Sequence, residues 1–160
     1  MAPNETAVPR ITVDDLRTLL EHDTIVKIAG IDADGLLRGK SISKKKFLSV
    51  AEDGLGFCSI VFGWDMHDVP YFKELNISNK QNGYQDLLAK IDLSSYRRIP
   101  WENNVPLFLI SYHEPLGQQL PICACPRGLL RTIVDRIEEE DFGALAGGES
   151  IQLRDERNQY

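Results

Sequence analysis

Residues 25–48, IVKIAGIDADGLLRGKSISKKKFL, constrain this chain more than any other stretch. The apolar run Ile25-Val26-Lys27-Ile28-Ala29 reads as a buried or half-buried strand. Asp32-Ala33-Asp34-Gly35 reads as a turn, because an aspartate can bond its own backbone and glycine accepts positive φ cheaply. The chain then returns through residues 36–42. Ser43 is placed to cap a helix that opens at Lys44 and carries Phe47, Leu48 and Ala51 on its inner face. A lone two-stranded hairpin is marginal in water, so the unit requires further strands.

The rest of the chain supplies them. Residues 1–11 read as a polar, frayed lead. Residues 12–22 predict a short helix capped by Thr12, with Ile11 stapled onto Leu16 and a stripe of Leu16, Leu19 and Leu20. Gly54 and Gly56 are expected to end the second helix. Strands are predicted at 57–62, 86–93 and 105–113, the last apolar on both faces and so covered on both sides. Residues 73–84, rich in Asn, Lys and Gln, read as a mobile surface loop, and residues 119–123 as a short strand pairing back after a turn at Leu116-Gly117. Pro126 opens a helix at the position where a missing N–H costs least. Leu129, Leu130, Ile133, Val134 and Ile137 give that helix an apolar face, and Gly143 is read as its stop. The expected class is α+β: a mixed or antiparallel sheet of four or five short strands with at least one helix packed across it.

Charge and composition exclude several classes of function. The 160 residues carry a net charge of −6, which gives no general attraction to nucleic acid or anionic lipid. No apolar run approaches a membrane span, and the first ten residues lack the layout of a signal peptide. Cys58, Cys123 and Cys125 are an odd set, expected to be reduced thiols in a cytoplasmic protein. Cys123-Ala-Cys125 has no second pair at zinc-ligand distance and reads as small, semi-buried residues before a helix.

Several segments, taken in order, carry a family resemblance. They are Asp34-Gly35-x-x-Arg38-Gly39-Lys40, then Gly56-Phe57, then Phe62-Gly63. Asp92 and Arg97-x-Ile99-Pro100-Trp101 follow, with Ser95 where the pattern has threonine. Cys125-Pro126-Arg127-x-x-Leu130 and Ala146-Gly147-Gly148-Glu149 complete the series. Over about residues 12–149 this resembles the glutamine synthetase family, in its bacterial-type and fungal synthetase-like branch. The resemblance implies an N-terminal β-grasp domain at 12–122 and the start of a catalytic domain at 123–149, incomplete as given, with a divergent tail at 150–160. It also implies an ATP-dependent ligase that joins glutamate to ammonia or an amine. Mg²⁺ or Mn²⁺ and ATP are the family cofactors, with none expected on this chain alone. Family partners are a homo-oligomer or full-length synthetase subunits, with no nucleic acid and no membrane.

The same resemblance nominates residues. Trp64 and Asp65 match the loop that in the family reaches across a subunit interface towards the neighbour's ammonium and nucleotide site. The family aspartate usually precedes the strand's glycine, a region that here reads Phe57-Cys58-Ser59, so Asp65 departs from the pattern. A polar surface loop with a half-buried Trp is the plain alternative, and Asp65-x-His67-Asp68 as an independent metal site a third. Glu149 matches the first of two metal-binding glutamates, but Ile151 stands where the second belongs. Asp34, Gly35, Arg38, Gly39, Lys40, Pro100, Trp101, Pro126 and Arg127 are read as structural motif residues. The basic run Arg38, Lys40, Lys44, Lys45, Lys46 reads as a solvated face, and His22 and His113 as surface residues. The competing functional reading is a non-catalytic β-grasp module that only binds partners. Further expectations are that the chain alone has no ligase activity, that 150–160 is foreign to the fold, and that the apolar face of the last helix is exposed.

Overall fold

The computed structural model describes residues 11–144. The readings made for Glu149 and for the 150–160 tail lie outside the described residues. Five strands form one sheet in the order β2-β1-β5-β4-β3. β1 (Ile25–Ile31) and β2 (Leu37–Ser43) make the expected antiparallel hairpin. β1 also runs parallel to the central strand β5 (Val105–His113). β4 (Asp86–Ile99) pairs antiparallel with β5 and carries β3 (Leu55–Cys58) on its far edge. The sheet is therefore mixed, as expected.

Alternation along the strands builds the core. Val26 and Ile28 of β1 and Phe108, Ile110 and Tyr112 of β5 are all fully buried. The helix α2 (Lys44–Val50) lays Phe47 on Phe108, with ring centroids 4.7 Å apart. Ser43 caps this helix as its sequence position predicts, accepting from the Lys46 amide. Gly54 closes the exit with φ +83 and a bond from its amide to the Val50 carbonyl. Leu107 and Leu109 are buried on the opposite face of β5, so both of its sides are covered.

Four expectations need correction. Residues 57–62 are not one strand: β3 ends at Cys58 and Ser59–Phe62 form a 3-10 turn, closed by the Gly63 amide on the Ile60 carbonyl. The turn buries Val61 and Phe62 together, whereas a strand would point neighbouring side chains apart. The first helix, α1, is only Leu16–Leu19. Thr12 and Asp15 bond each other reciprocally at its entrance, while Lys44 takes the carbonyls of Leu20 and Glu21 at its exit. The last helix, α3 (Pro126–Glu139), is stopped by Asp141 in the left-handed region rather than by Gly143. There the Asp141 and Phe142 amides return to the carbonyls of Glu138 and Ile137, a full Schellman closure. Residues 119–123 form no strand and make a single bridge, Pro121 to His113. The loop at 73–84 is organised by its own bonds: the Asn79 and Asn82 side chains each accept from the other's amide.

Candidate functional site

The site begins with one arginine on the edge strand. Strand alternation turns the Arg38 side chain onto the face shared with the loop after Phe62, and the guanidinium bridges the two segments. Its Nε donates to the buried Asp32 carboxylate (2.7 Å), its Nη1 pairs with Asp68, and its Nη2 donates to the Asp65 carbonyl (2.6 Å). The guanidinium carbon also lies 6.0 Å from the centre of the Trp64 ring. Asp32 is itself fixed by the turn, accepting from the amides of Asp34 and Leu36 (both 2.9 Å). Burial pushes the Asp32 carboxyl up, but Arg38 and the two amides outweigh it and hold it below the usual carboxylate range.

Gly35 and Gly39 make this geometry accessible. Gly35 closes the turn at φ +82. Gly39 faces the neighbouring strand so closely that a Cβ there would meet the Ile28 carbonyl oxygen and Ala29. Lys40 stands over the Phe57 ring, 4.6 Å from its centre. The basic run is thus divided: Arg38 is paired on three sides and Lys44 caps α1, while Lys40, Lys45 and Lys46 are exposed, Lys40 lying over an aromatic ring.

The loop presented by Arg38 is compact. Trp64 bridges to Pro70, the Asp65 amide donates to the Val69 carbonyl (2.9 Å), and the Tyr71 amide reaches back to Gly63 (2.8 Å). The Asp65 carboxylate accepts from the amides of Val69 (3.0 Å) and His67 (2.8 Å), which hold it below the usual range. Tyr71 Oη donates to Asp34 (3.3 Å), giving the hairpin turn a second hold on the loop. A groove of about 630 Å³ lies beside it, lined by Arg38, Gly39, Phe57, Ile60, Trp64 and Asp68. Trp64 and Asp65 are partly buried, whereas Met66, Val69 and Phe72 are exposed at the tip.

Of the nominated residues, Asp34, Gly35, Arg38, Gly39, Lys40, Trp64 and Asp65 come together here. Pro100 and Trp101 do not: they form a 3-10 turn after β4, and the Trp101 ring is exposed. Pro126 and Arg127 open α3, where Arg127 pairs with Asp92. Asp92 stands at a bulge in β4, in which Ser95 Oγ accepts from the Leu109 amide (2.7 Å) in place of a ladder partner. Among the described residues no group of three His, Cys, Asp or Glu side chains could hold a metal ion. The described residues therefore do not fit the metal that the family resemblance implies, and Asp65, His67 and Asp68 make no metal site.

Sequence reasoning missed three contributors. Asp32 reads in the sequence only as a turn residue, yet it anchors Arg38; the signal is an aspartate directly ending an apolar strand. Cys125 is buried and caps α3, its sulfur accepting from the Gly128 amide (3.4 Å). His113 is no free surface residue, since Nδ1 contacts the Gln119 carbonyl (2.7 Å) and Nε2 the Ser111 hydroxyl (2.9 Å).

No family model matches the chain. Over 130 residues it is 46% identical to the type-1 glutamine synthetase 2 of Dictyostelium discoideum, a match that covers 81% of this chain and 24% of that protein. Over 137 residues it is 29% identical to the glutamate–isopropylamine ligase of a Pseudomonas species, covering 84% of this chain and 29% of that one. The match thus spans about a quarter to three tenths of the length of these relatives. In fold it is similar to the solved GmaS/ADP complex, with a TM-score of 0.59 at 22% identity over 79% of this chain and 26% of that structure. No helix among the described residues is long and apolar enough to cross a membrane.

Proposed function

The chain belongs to the glutamine synthetase family, and from that premise we propose that it supplies the N-terminal part of a ligase that forms a γ-glutamyl amide from glutamate and ammonia or an amine. In this reading residues 12–122 are the β-grasp domain and residues 123–149 begin the catalytic domain. The observation that carries it is the 46% identity over 130 residues to a named glutamine synthetase. Trp64 and Asp65 act at the interface with a neighbouring subunit, where Arg38 holds their loop in place. The Asp65 carboxylate, kept ionised by two amides, offers a fixed negative charge suited to a small cation such as ammonium. Mg²⁺ or Mn²⁺ and ATP belong to the completed enzyme, and the 160 residues alone do not catalyse the reaction.

A chimera tests this. Residues 1–144 replace the matching segment of the Dictyostelium relative, and γ-glutamyl transfer is measured beside the isolated chain. The chimera is expected to be active and the isolated chain silent, with Trp64→Ala and Asp65→Asn lowering the chimera's rate at least tenfold. A folded, assembled chimera without activity overturns the reading, as does ligase activity of the isolated chain. The second reading, a non-catalytic partner-binding module, is favoured by one observation, the bare apolar face of α3. A silent chimera whose β-grasp part still captures synthetase subunits decides for it.

A further inference from the structure

Asn82-Gly83 is the one Asn-Gly pair in the chain, and the loop that holds it engages both of its reactive groups. An asparagine side chain carries its amide carbon one ring closure away from the next residue's backbone nitrogen. When that residue is glycine, no Cβ shields the nitrogen. The Gly83 nitrogen then attacks Asn82 Cγ: the N–Cγ bond forms, the Cγ–Nδ2 bond breaks, and Nδ2 leaves as ammonia with the Gly83 proton. Water opens the resulting five-membered imide to aspartate or to isoaspartate. The sequence of steps needs no reagent besides water.

The closed loop withholds both groups. The Gly83 amide donates to the Lys80 carbonyl (3.2 Å) in a tight turn. Asn82 Oδ1 accepts from the amides of Asn79 and Tyr84 (both 3.1 Å), and Nδ2 donates to the Ile77 carbonyl (3.0 Å). These bonds must open before Cγ can swing onto the Gly83 nitrogen. Gly83 is exposed, and no described atom lies within 4 Å of where its Cβ would stand, so bonding rather than burial guards the pair.

Reclosing is opposed once the amide is lost. An aspartate at position 82 has no N–H for the Ile77 carbonyl and sets a carboxylate against that oxygen. Isoaspartate lengthens the main chain by one carbon, which breaks the register of the Gly83–Lys80 and Tyr84–Asn79 bonds. The Glu74 carboxylate, which accepts from the Lys80 amide and the Tyr84 hydroxyl, already puts negative charge on this loop. The turn leading into Trp64 leans on the same loop. Ser78 Oγ meets Ser59 Oγ, the Ser59 amide donates to the Gln85 carbonyl, and Cys58 Sγ donates to the Tyr84 carbonyl, each at 3.3 Å.

We propose that Asn82-Gly83 is a self-modification site guarded by the closed 73–84 loop, where deamidation follows loop opening and then opposes reclosure. The inference does not depend on the ligase reading.

Peptide mass mapping of the full 160-residue chain at mildly alkaline pH tests it, with circular dichroism as the check on folding. Acid at position 82 is expected to accumulate at least about tenfold more slowly in the folded chain than in the same chain in urea. Asn79→Ala leaves the reacting pair intact but removes the side chain that accepts from the Asn82 amide and donates to the Leu75 and Asn76 carbonyls. It is expected to speed conversion of the folded chain several-fold. Asn82→Asp reproduces the aspartate product, and its amides at 59–63 and 77–85 are expected to exchange several-fold faster than in the wild type, with β1 and β5 unchanged. Equal conversion in the folded and unfolded chains overturns the proposal. So does an Asn79→Ala chain that converts no faster than the wild type, or an Asn82→Asp chain whose loop exchanges like the wild type.

Discussion

Arg38 divides its guanidinium among Asp32, Asp65 and Asp68, and the first of these is buried while the last is exposed. Removing a buried partner costs more than removing an exposed one, because it leaves a desolvated charge unmatched. Asp32→Asn is expected to lower the stability of the chain by about 3 kcal/mol in urea unfolding, and Asp68→Asn by less than about 1 kcal/mol. The folded carboxyl of Asp32 lies below its unfolded value, so its contribution is complete above about pH 4 and is lost as pH falls through the folded value. The gap between wild type and Asp32→Asn should therefore be flat at neutral pH and close in acid. His113 runs on the same sign for a different cause. Burial holds its pKa below the free imidazole, so the folded state favours the neutral ring. Its contribution is complete above about pH 6.5 and declines as pH falls through the lowered folded value. His113→Gln is expected to flatten the pH dependence of stability in that window, measured as urea midpoints.

Caps and turns decide the elements, and they explain which of them could be read in advance. Ser43→Ala is expected to cost about 1 kcal/mol by removing the bond to the Lys46 amide, a loss that the midpoint of thermal unfolding would register. The β1–β2–α2 unit was legible because a residue with a local signal marks each boundary. Asp32 and Gly35 mark the turn, Ser43 the cap and Gly54 the exit. β5 was legible for a different reason, since only a strand covered on both sides needs so continuous an apolar run. Residues 57–62 were not, because a short apolar run fits a strand or a buried turn equally well by periodicity. Here the deciding contact is distant: buried Ser59 bonds Ser78 (3.3 Å) across the intervening loop. The candidate site divides the same way. Trp64 and Asp65 could be nominated from sequence, but the hold of Arg38 on their loop joins segments about thirty residues apart. No local pattern encodes that. Asp141 at the end of α3 was hidden by Gly143, the better left-handed residue by propensity, because helix length rather than residue type placed the stop.

At the scale of the whole molecule, stability is unevenly distributed. The sheet and α2 share one core, in which Phe47, Phe108, Ile110 and Tyr112 are fully buried. Among the described residues α3 is joined to that body chiefly near its start, by the Cys125 cap, the Gly128–Pro121 contact and the Arg127–Asp92 pair. Beyond Thr132 its turns depend on their own hydrogen bonds, and a helix of 14 residues is marginal in water without tertiary support. Amide hydrogen exchange should therefore separate two units in dilute solution: slow amides in β1, β5 and α2, and fast ones in the second half of α3. Uniformly slow exchange in dilute solution would mean that the body of the chain already supports the whole helix.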